Sequence, residues 1–272
     1  MSEFSVLLPV YLGDQAEHFA ESVRSVTADQ TLRPTELVIV CDGPVSDEVD
    51  ALLRGIDDLT GGVPTNIVRL PENMGLARAL EAGLAACQYD VVGRADADDI
   101  SVPERFALQV PALVEDGLDL VGSAIQELDS ERGMGAIRPM PLTQEEILAG
   151  AAFRDPFNHP SVVYRRSAVA AAGGYQHLNK MEDYWLFARM LQAGARVANL
   201  PEVLVHYRVD AGAYHRRGGL EMLRSEWALQ RKLREIGFVG TGEFLRNVAV
   251  RCGYRLIPTA IRRRAYRATF TD

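Results

Sequence analysis

The sequence has few cysteines and no long apolar run, and each absence excludes a class of protein. Its three cysteines, Cys41, Cys87 and Cys252, lie far apart without the spacing of metal ligands, which excludes a disulfide framework and favours a reducing compartment. No apolar stretch approaches the roughly 20 residues that span a bilayer. The first residues, Met1 to Phe4, lack the basic segment of a signal peptide. We therefore expect a cytoplasmic protein that is neither exported nor integral to a membrane.

Basic residues are also scarce, and they are unevenly distributed. The 272 residues include 29 Lys and Arg against 37 Asp and Glu, a net charge of −8 at pH 7, so the charge gives no indication of nucleic acid as a partner. A hydrophobic fraction of 47% is enough for one large α/β domain or two intimate halves. The stretch 246–267 departs from this average, because it contains no acid and carries Arg251, Arg255, Arg262, Arg263 and Arg264.

Short apolar runs alternate with helical patterns in the first hundred residues. Four runs predict buried strands that end in polar residues, at 4–11, 35–42, 66–70 and 90–95. The run 76–84 predicts one of the helices between them. Strands that alternate with helices predict an α/β fold with a mostly parallel, Rossmann-like, doubly wound sheet flanked by helices.

The pattern is less regular in the rest of the chain. A strand is predicted at 118–125, and 143–148 begins a helix with a capping-box pattern. A loop and a strand follow at 157–164, and 181–191 predicts a helix with acids in its first turn. From about Gly218 the pattern is helical, which predicts a helical C-terminal tail.

Three acids within four residues follow the fourth predicted strand: Asp96, Asp98 and Asp99. Open α/β sheets bind ligands at the carboxyl ends of their strands, and carboxylates two residues apart can share one divalent cation. Hard oxygen ligands suit Mg²⁺ or Mn²⁺, and a diphosphate is the natural bridging ligand. An acidic surface turn is the alternative for an isolated Asp-x-Asp. A structural calcium loop would need further oxygen ligands, which the apolar residues after Asp99 do not supply.

Seven motifs in order resemble the family 2 glycosyltransferases of the GT-A fold. The resemblance is greatest to the bacterial exopolysaccharide and lipid-linked oligosaccharide branch typified by amylovoran biosynthesis transferases. It extends from about Phe4 to Asp210. The motifs that carry it are Ser5–Tyr11, Val38–Pro44, Asn73–Arg78, the Arg94–Arg105 block, Asn158–Ser161, Glu182–Tyr184 and His206–Asp210.

The resemblance implies a nucleotide-sugar site in the first half of the chain. The backbone after the first strand and the carboxylate of Asp42 would hold a uracil base, the segment from Asn73 to Arg78 would flank the nucleotide, and Asp96 would meet the ribose. The residues implied in donor binding are Pro9, Val10, Tyr11, Asp42, Asn73, Arg78 and Asp96.

The resemblance also implies a metal site centred on Asp98, which would ligate the Mn²⁺ or Mg²⁺ that bridges the donor phosphates. Relatives commonly carry a histidine where this chain has Asp210. Asp210 would suit a hard cation, but it adds negative charge near an anionic donor. The alternatives are that His206 or His215 replaces it, or that water completes the site.

For catalysis, the resemblance identifies Asp183 as the general base that takes the proton from the acceptor hydroxyl, with Glu182 orienting the acceptor. Two acids that neutralise a helix N-terminus are the structural alternative. His159 would either face the donor phosphate or the acceptor, or hold its loop. These residues imply inverting transfer of one sugar to a glycan acceptor, either free or linked to polyprenyl diphosphate.

Two alternative functions fit the sequence less well. A sugar-nucleotide pyrophosphorylase would carry a glycine-rich basic loop after the first strand, and 11–15 is not one. A non-catalytic nucleotide-sugar-binding module would have lost the metal or base acids. Processive synthases carry a Gln-x-x-Arg-Trp motif and membrane spans, and this chain has neither motif nor span.

We expect three regions: a nucleotide-sugar-binding half at 1–100, an acceptor-binding half at 101–217 and a helical basic extension at 218–272. The arginines of the extension, with an apolar side from Tyr254, Leu256, Ile257 and Ile261, suit the inner face of the cytoplasmic membrane. The alternative is a helix packed on the catalytic domain or on a partner subunit.

Overall fold

Buried apolar strands define the centre of the computed structural model, which describes residues 3–129, 133–209 and 219–253. In these residues nine strands form one sheet in the order β3-β2-β1-β4-β8-β6-β9-β5, with β7 beside β6. The strands are β1 (Ser5–Val10), β2 (Glu36–Cys41), β3 (Thr65–Arg69), β4 (Val91–Arg94), β5 (Ile100–Ser101), β6 (Leu120–Asp129), β7 (Gly133–Arg138), β8 (Val163–Arg165) and β9 (Val197–Val209).

Helices cover both faces of this sheet. Those before residue 120 are α1 (Ala16–Val26), α2 (Asp47–Arg54), α3 (Ile56–Thr60), α4 (Leu76–Ala86) and α5 (Arg105–Glu115). The later ones are α6 (Gln144–Ala151), α7 (Arg166–Ala171), α8 (Glu182–Gln192), α9 (Leu220–Glu235) and α10 (Thr241–Asn247), with a 3₁₀ turn at His159–Ser161 and a π-helical turn at Val248–Cys252.

The first four strands pair in parallel, as the alternation of strands and helices predicted. The register aligns Val10 of β1 with Cys41 of β2, and Leu7 of β1 with Arg94 of β4. The carboxyl ends of these strands therefore lie at one edge of the sheet, where ligands bind in open α/β folds. The predicted α/β class, with helices on a twisted sheet, is confirmed.

The second half of the sheet is mixed. β8 runs antiparallel to β4 and to β6, whereas β6 and β9 pair in parallel along most of their length. Short β5 pairs antiparallel with β9, so that Ile100 lies opposite His206. The sheet is thus continuous across the predicted boundary between 100 and 101, and the division into two halves stays a prediction.

Alternate residues of β1 supply two hydrophobic cores. Val6 and Leu8 pack in the layer that contains α1, α2, α3 and α5, whereas Leu7 packs against α4 in the opposite layer with α6 and α8. Gly83 lets α4 approach the sheet closely, because a Cβ there would overlap the Leu7 side chain.

The described part of the C-terminal extension packs on the catalytic domain. Met222, Leu229 and Leu233 of α9 belong to a third apolar cluster that also contains Trp185 of α8. Residues 219–253 therefore pack on the catalytic domain, and the membrane contact of the tail stays a prediction. The residues 254–272, which include Arg255, Arg262, Arg263, Arg264 and the apolar positions Tyr254, Leu256, Ile257 and Ile261, lie outside the described residues. Among the described helices, none has both the length and the apolar character needed to cross a membrane.

Candidate active site

A cavity of about 390 Å³ opens at the carboxyl ends of β1, β2 and β4. It lies at the sheet edge where the parallel strands end, which is the position that the sequence predicted. The described residues that line it are Pro9, Val10, Tyr11, Asp14, Asp42, Asn73, Gly75, Leu76, Ala79, Asp96, Ala97 and Asp98. Six of the seven predicted donor residues are in this set. The seventh, Arg78, is exposed on α4 and is not among them.

Asp42 shapes the turn that carries Asn73 into the cavity. Its Oδ1 accepts a hydrogen bond from the backbone N of Met74 at 2.7 Å, and its Oδ2 accepts one from Gly75 at 3.0 Å. Gly75 has a φ of +85°, a conformation that favours glycine, and directly precedes α4. Each carboxylate oxygen keeps a second lone pair for a ligand. The sequence analysis foresaw a base contact for Asp42 but not this structural role.

Asp14 is a fourth acid in the first cavity, and sequence reasoning missed it. One oxygen of its carboxylate accepts a hydrogen bond from the backbone N of Tyr11 at 2.9 Å. Burial, together with the smaller effects of the Asp98 and Asp96 charges, raises the pKa of Asp14 to about 7, although the hydrogen bond from Tyr11 opposes this increase. Tyr11 is half exposed and lines the same cavity, and an aromatic ring of this kind suits stacking on a nucleotide base.

The three predicted acids converge at one point of the same edge. Oxygen atoms of Asp96, Asp98 and Asp99 lie within 4.8 Å of one another. Burial, followed by the charge of Asp96, raises the pKa of Asp98 to about 6 and that of Asp99 well above its usual range. Arg208 of β9 holds their loop, because its backbone N donates to Asp99 Oδ1 and its Nε to the Asp98 carbonyl, both at 2.8 Å.

These carboxyls are a suitable donor set for a hard divalent cation. The Oδ2 atom of Asp99 is buried and accepts no hydrogen bond within the described ranges, so it has an unused acceptor site. A cation would also relieve the repulsion that raises these pKa values. Asp98 and Asp99 would hold it, whereas Asp96 is engaged by Arg94. His206 lies on β9 opposite Ile100 and is not part of the described cluster. Asp210 and His215 lie outside the described residues.

Arg94 links the acids to the interior of the protein. It is almost entirely buried, its Nη1 donates to Asp96 Oδ2 at 2.6 Å, and its Nη2 pairs with the other oxygen. Its positive charge adds to the larger effect of burial in lowering the pKa of His159, and it partly opposes the increase that burial and Glu182 cause in the pKa of Asp183. The charge of Arg94 therefore acts on residues outside the acid cluster as well as on Asp96.

A second cavity, of about 380 Å³, contains the predicted base. The described residues around it are Ile125, Arg138, Pro139, Met140, Pro141, Arg154, Asp155, Phe157, Asn158, His159, Pro160, Asp183 and Tyr207. Asp183 lies in the first turn of α8, where its Oδ1 accepts a hydrogen bond from the backbone N of Tyr184 at 2.7 Å. Burial and then the neighbouring Glu182 charge raise the pKa of Asp183 to about 6. Glu182 is not among the residues that line this cavity.

His159 faces the second cavity rather than the first. Its Nε2 is 2.8 Å from the Tyr175 hydroxyl, and its ring packs edge-on against Phe187. Burial lowers its pKa well below the usual range, so the ring is neutral near pH 7. Both the loop-holding role and an acceptor contact are compatible with this position.

Comparison with known proteins identifies the family. The sequence profile of glycosyl transferase family 2 matches residues 5–169. This chain belongs to glycosyltransferase family 2 and is a glycosyltransferase that uses nucleotide-sugar donors.

Individual relatives agree with this assignment. Over 264 residues the chain is 39% identical to the amylovoran biosynthesis glycosyltransferase AmsE of Erwinia amylovora, covering 95% of this chain and 96% of the relative. It is 32% identical over 267 residues to an Escherichia coli UDP-Gal:alpha-D-GlcNAc-diphosphoundecaprenol beta-1,3-galactosyltransferase, covering 97% and 95%. The fold is similar to that of the mannosyltransferase PcManGT from Pyrobaculum calidifontis, solved with GDP-Man and Mn²⁺, with a TM-score of 0.67, 18% identity and coverage of 98% and 75%.

Proposed function

We propose that this protein is an inverting, metal-dependent transferase that moves one sugar from a UDP-hexose or UDP-N-acetylhexosamine to a hydroxyl of a lipid-linked glycan acceptor. One observation carries the proposal. The first cavity gathers the acids suited to a metal diphosphate, the second contains a half-buried carboxyl suited to a general base, and Arg94 exerts its charge on both.

In the proposed reaction Asp183 accepts the proton of the acceptor hydroxyl. The acceptor oxygen then forms a bond to the anomeric carbon, and the bond from that carbon to the phosphate oxygen breaks, with its electron pair leaving on UDP. A single displacement of this kind inverts the anomeric configuration. A divalent cation held by Asp98 and Asp99 would supply Lewis-acid stabilisation of the departing diphosphate. Arg94 keeps Asp96 in place through their ion pair.

The choice of UDP and of a lipid-linked acceptor is supported by the name of the Escherichia coli relative, which includes UDP-Gal and a diphosphoundecaprenol-linked sugar. The name of the Erwinia relative, an amylovoran biosynthesis glycosyltransferase, supports a role in the synthesis of a glycan. A glycan on polyprenyl diphosphate lies at a membrane surface. Peripheral contact at the inner face of the cytoplasmic membrane is therefore part of the proposal, and it would be made by the basic residues of the segment 254–272, which lies outside the described residues.

Calorimetric titration with UDP, with and without Mn²⁺, tests the donor site. We expect binding that requires Mn²⁺ and is lost in Asp98→Ala. UDP-galactose, UDP-glucose and their N-acetylated forms are then screened with N-acetylglucosamine on a diphosphate lipid. Metal-dependent UDP binding without any sugar transfer to this acceptor or to other glycans would favour a non-catalytic binding module and contradict the proposal.

A further inference from the structure

The segment after α6 is held by side chains from three other parts of the chain. Three consecutive carbonyls each accept one hydrogen bond: Ala151 from Tyr184 Oη at 2.7 Å, Ala152 from Asn247 Nδ2 at 2.6 Å and Phe153 from Arg251 Nη1 at 2.5 Å. Two of the donors follow residue 169, where the family match ends, by more than 70 residues. The C-terminal helices therefore fix a loop of the catalytic domain.

Arg251 is itself held rigidly. Its Nε donates to Glu226 Oε1 at 2.5 Å and its Nη2 donates to Glu226 Oε2 at 3.1 Å, a bidentate pair. The side chain of Glu226 is completely buried. Gln230 donates to Glu226 and accepts from Asn247, so that α9, α10 and the π-helical turn form one connected network. A network of this kind leaves the loop at 151–153 little freedom.

The fixed loop leads directly into the second cavity. Two residues beyond Phe153, Asp155 lines that cavity, and its Oδ1 accepts a hydrogen bond from the backbone N of Phe157 at 3.2 Å. Burial and the charge of Asp183 raise the pKa of Asp155, whereas the charge of Arg251 lowers it. Arg251 is thus close enough to Asp155 to act on it through charge as well as through the backbone.

We propose that Arg251, held by Glu226, is a positioning residue for the acceptor: it fixes the loop 151–155 so that Asp155 contacts an acceptor hydroxyl in the cavity that Asp183 lines. The inference rests on the proposed function, because it takes the second cavity as the acceptor site. It extends that function by making the C-terminal helices part of acceptor recognition. A purely structural role for the Glu226–Arg251 pair is the alternative.

A positioning role and a purely structural role for Arg251 predict different kinetics. With the donor and acceptor found in the screen above, Arg251→Met should raise the acceptor KM and lower kcat/KM on the order of 10- to 100-fold, because small displacements of a positioned group have effects of this size. The affinity for UDP and Mn²⁺ should equal that of the wild-type protein. Arg251→Lys should recover part of the loss, since it keeps the charge but not the fork of donors.

A double variant of Glu226 and Arg251 distinguishes a kinetic effect from a folding defect. Glu226→Gln with Arg251→Met removes both charges of the buried pair, so that Glu226 is not left as a carboxylate without its partner cation. We expect it to fold, to bind UDP normally and to show the same acceptor defect. Arg231→Met is the matched control. Arg231 and Glu235 form an exposed ion pair on α9, the helix that also carries Glu226, so this substitution should leave the acceptor KM unchanged.

A double-mutant cycle with Asp155→Asn gives the decisive comparison. If Arg251 acts through Asp155, Arg251→Met should add little to the acceptor KM of Asp155→Asn. Additive effects, or an unchanged acceptor KM in the folded double variant of Glu226 and Arg251, would overturn the inference while leaving UDP binding and sugar transfer, and hence the proposed function, intact. Absence of transfer by the wild-type protein would instead count against the proposed function.

Discussion

Arg94 and Asp96 form a bidentate ion pair beneath the candidate metal site, with one contact of 2.6 Å between Nη1 and Oδ2. Arg94 is the last residue of β4, and only 2% of its surface is exposed. Arg105 fixes it from behind, because Nη2 of Arg105 donates to the Arg94 carbonyl at 2.6 Å. Arg94 thus orients the Asp96 carboxylate in the donor cavity, and its charge also affects the pKa of Asp183.

Replacement of Arg94 by Met should therefore damage both the fold and the reaction. Loss of a buried charged hydrogen-bond partner costs about 1–3 kcal/mol, and we expect a decrease of this size in the free energy of unfolding measured with urea. UDP affinity should fall as well, since Asp96 loses its fixed position. Stability and UDP affinity equal to those of the wild-type protein would contradict this role for Arg94.

Asp183→Asn should leave donor binding intact and abolish most of the transfer. The amide keeps the shape of the side chain but cannot take a proton, and a general base contributes on the order of 10²- to 10⁴-fold to the rate. The comparison is kcat for sugar transfer and UDP affinity by calorimetry. Glu182→Gln is the matched control, because Glu182 is adjacent but does not line the second cavity. An Asp183→Asn enzyme with nearly normal kcat would assign the base elsewhere.

The rate should fall in acid with the titration of Asp183. Its pKa is raised to about 6, and only the ionised form accepts a proton, so kcat/KM for the acceptor should decrease below pH 6 by about tenfold per pH unit. Removal of the Glu182 charge lowers the Asp183 pKa, so Glu182→Gln should move this decrease to lower pH. The assay uses saturating Mn²⁺ and donor. A decrease at the same pH in both proteins would assign the titration to another group.

Gly83 should tolerate no side chain. A Cβ at this position would overlap Leu7 and approach Val40 to 2.8 Å in the core between α4 and the sheet. Overpacking of this kind costs about 1–3 kcal/mol, so Gly83→Val should reduce the free energy of unfolding by at least that amount. Gly62→Ala is a control for loss of a glycine, because no atom lies within 4 Å of a Cβ there, although its φ of +86° still imposes some strain. Equal stability of Gly83→Val and the wild-type protein would contradict this account of the packing.

The sequence was sufficient to predict the elements that bury continuous apolar runs. β1, β2 and β4 are such runs, and the acids after β4 follow them directly, so the donor edge could be placed. The spacing of Arg94 and Asp96 also indicated that they could pair, because residues two apart in an extended chain lie on the same face. Nothing in the sequence indicated the mixed pairing of β6, β8 and β9, since local patterns do not determine which strands become neighbours.

The acceptor side depends on contacts between distant segments. Asp155 and Asp183 are 28 positions apart in the sequence and share one cavity only because α8 and the loop after α6 pack together. Arg251 reaches the Phe153 carbonyl across 98 positions. No spacing rule relates such residues, so their relationship follows from the tertiary structure alone. The structural role of Asp42 was unpredictable for the same reason, because its hydrogen bonds to Met74 and Gly75 depend on a turn 32 residues later.

The anomeric configuration of the product tests the central claim most directly. The protein, Mn²⁺, the α-linked UDP-sugar selected by the screen and its acceptor are incubated, and the new linkage is determined by NMR. A single displacement with Asp183 as base predicts a β-linked product, formed far more slowly by Asp183→Asn. An α-linked product would contradict the account, because it requires retention of configuration, which a single displacement with Asp183 as the base cannot give.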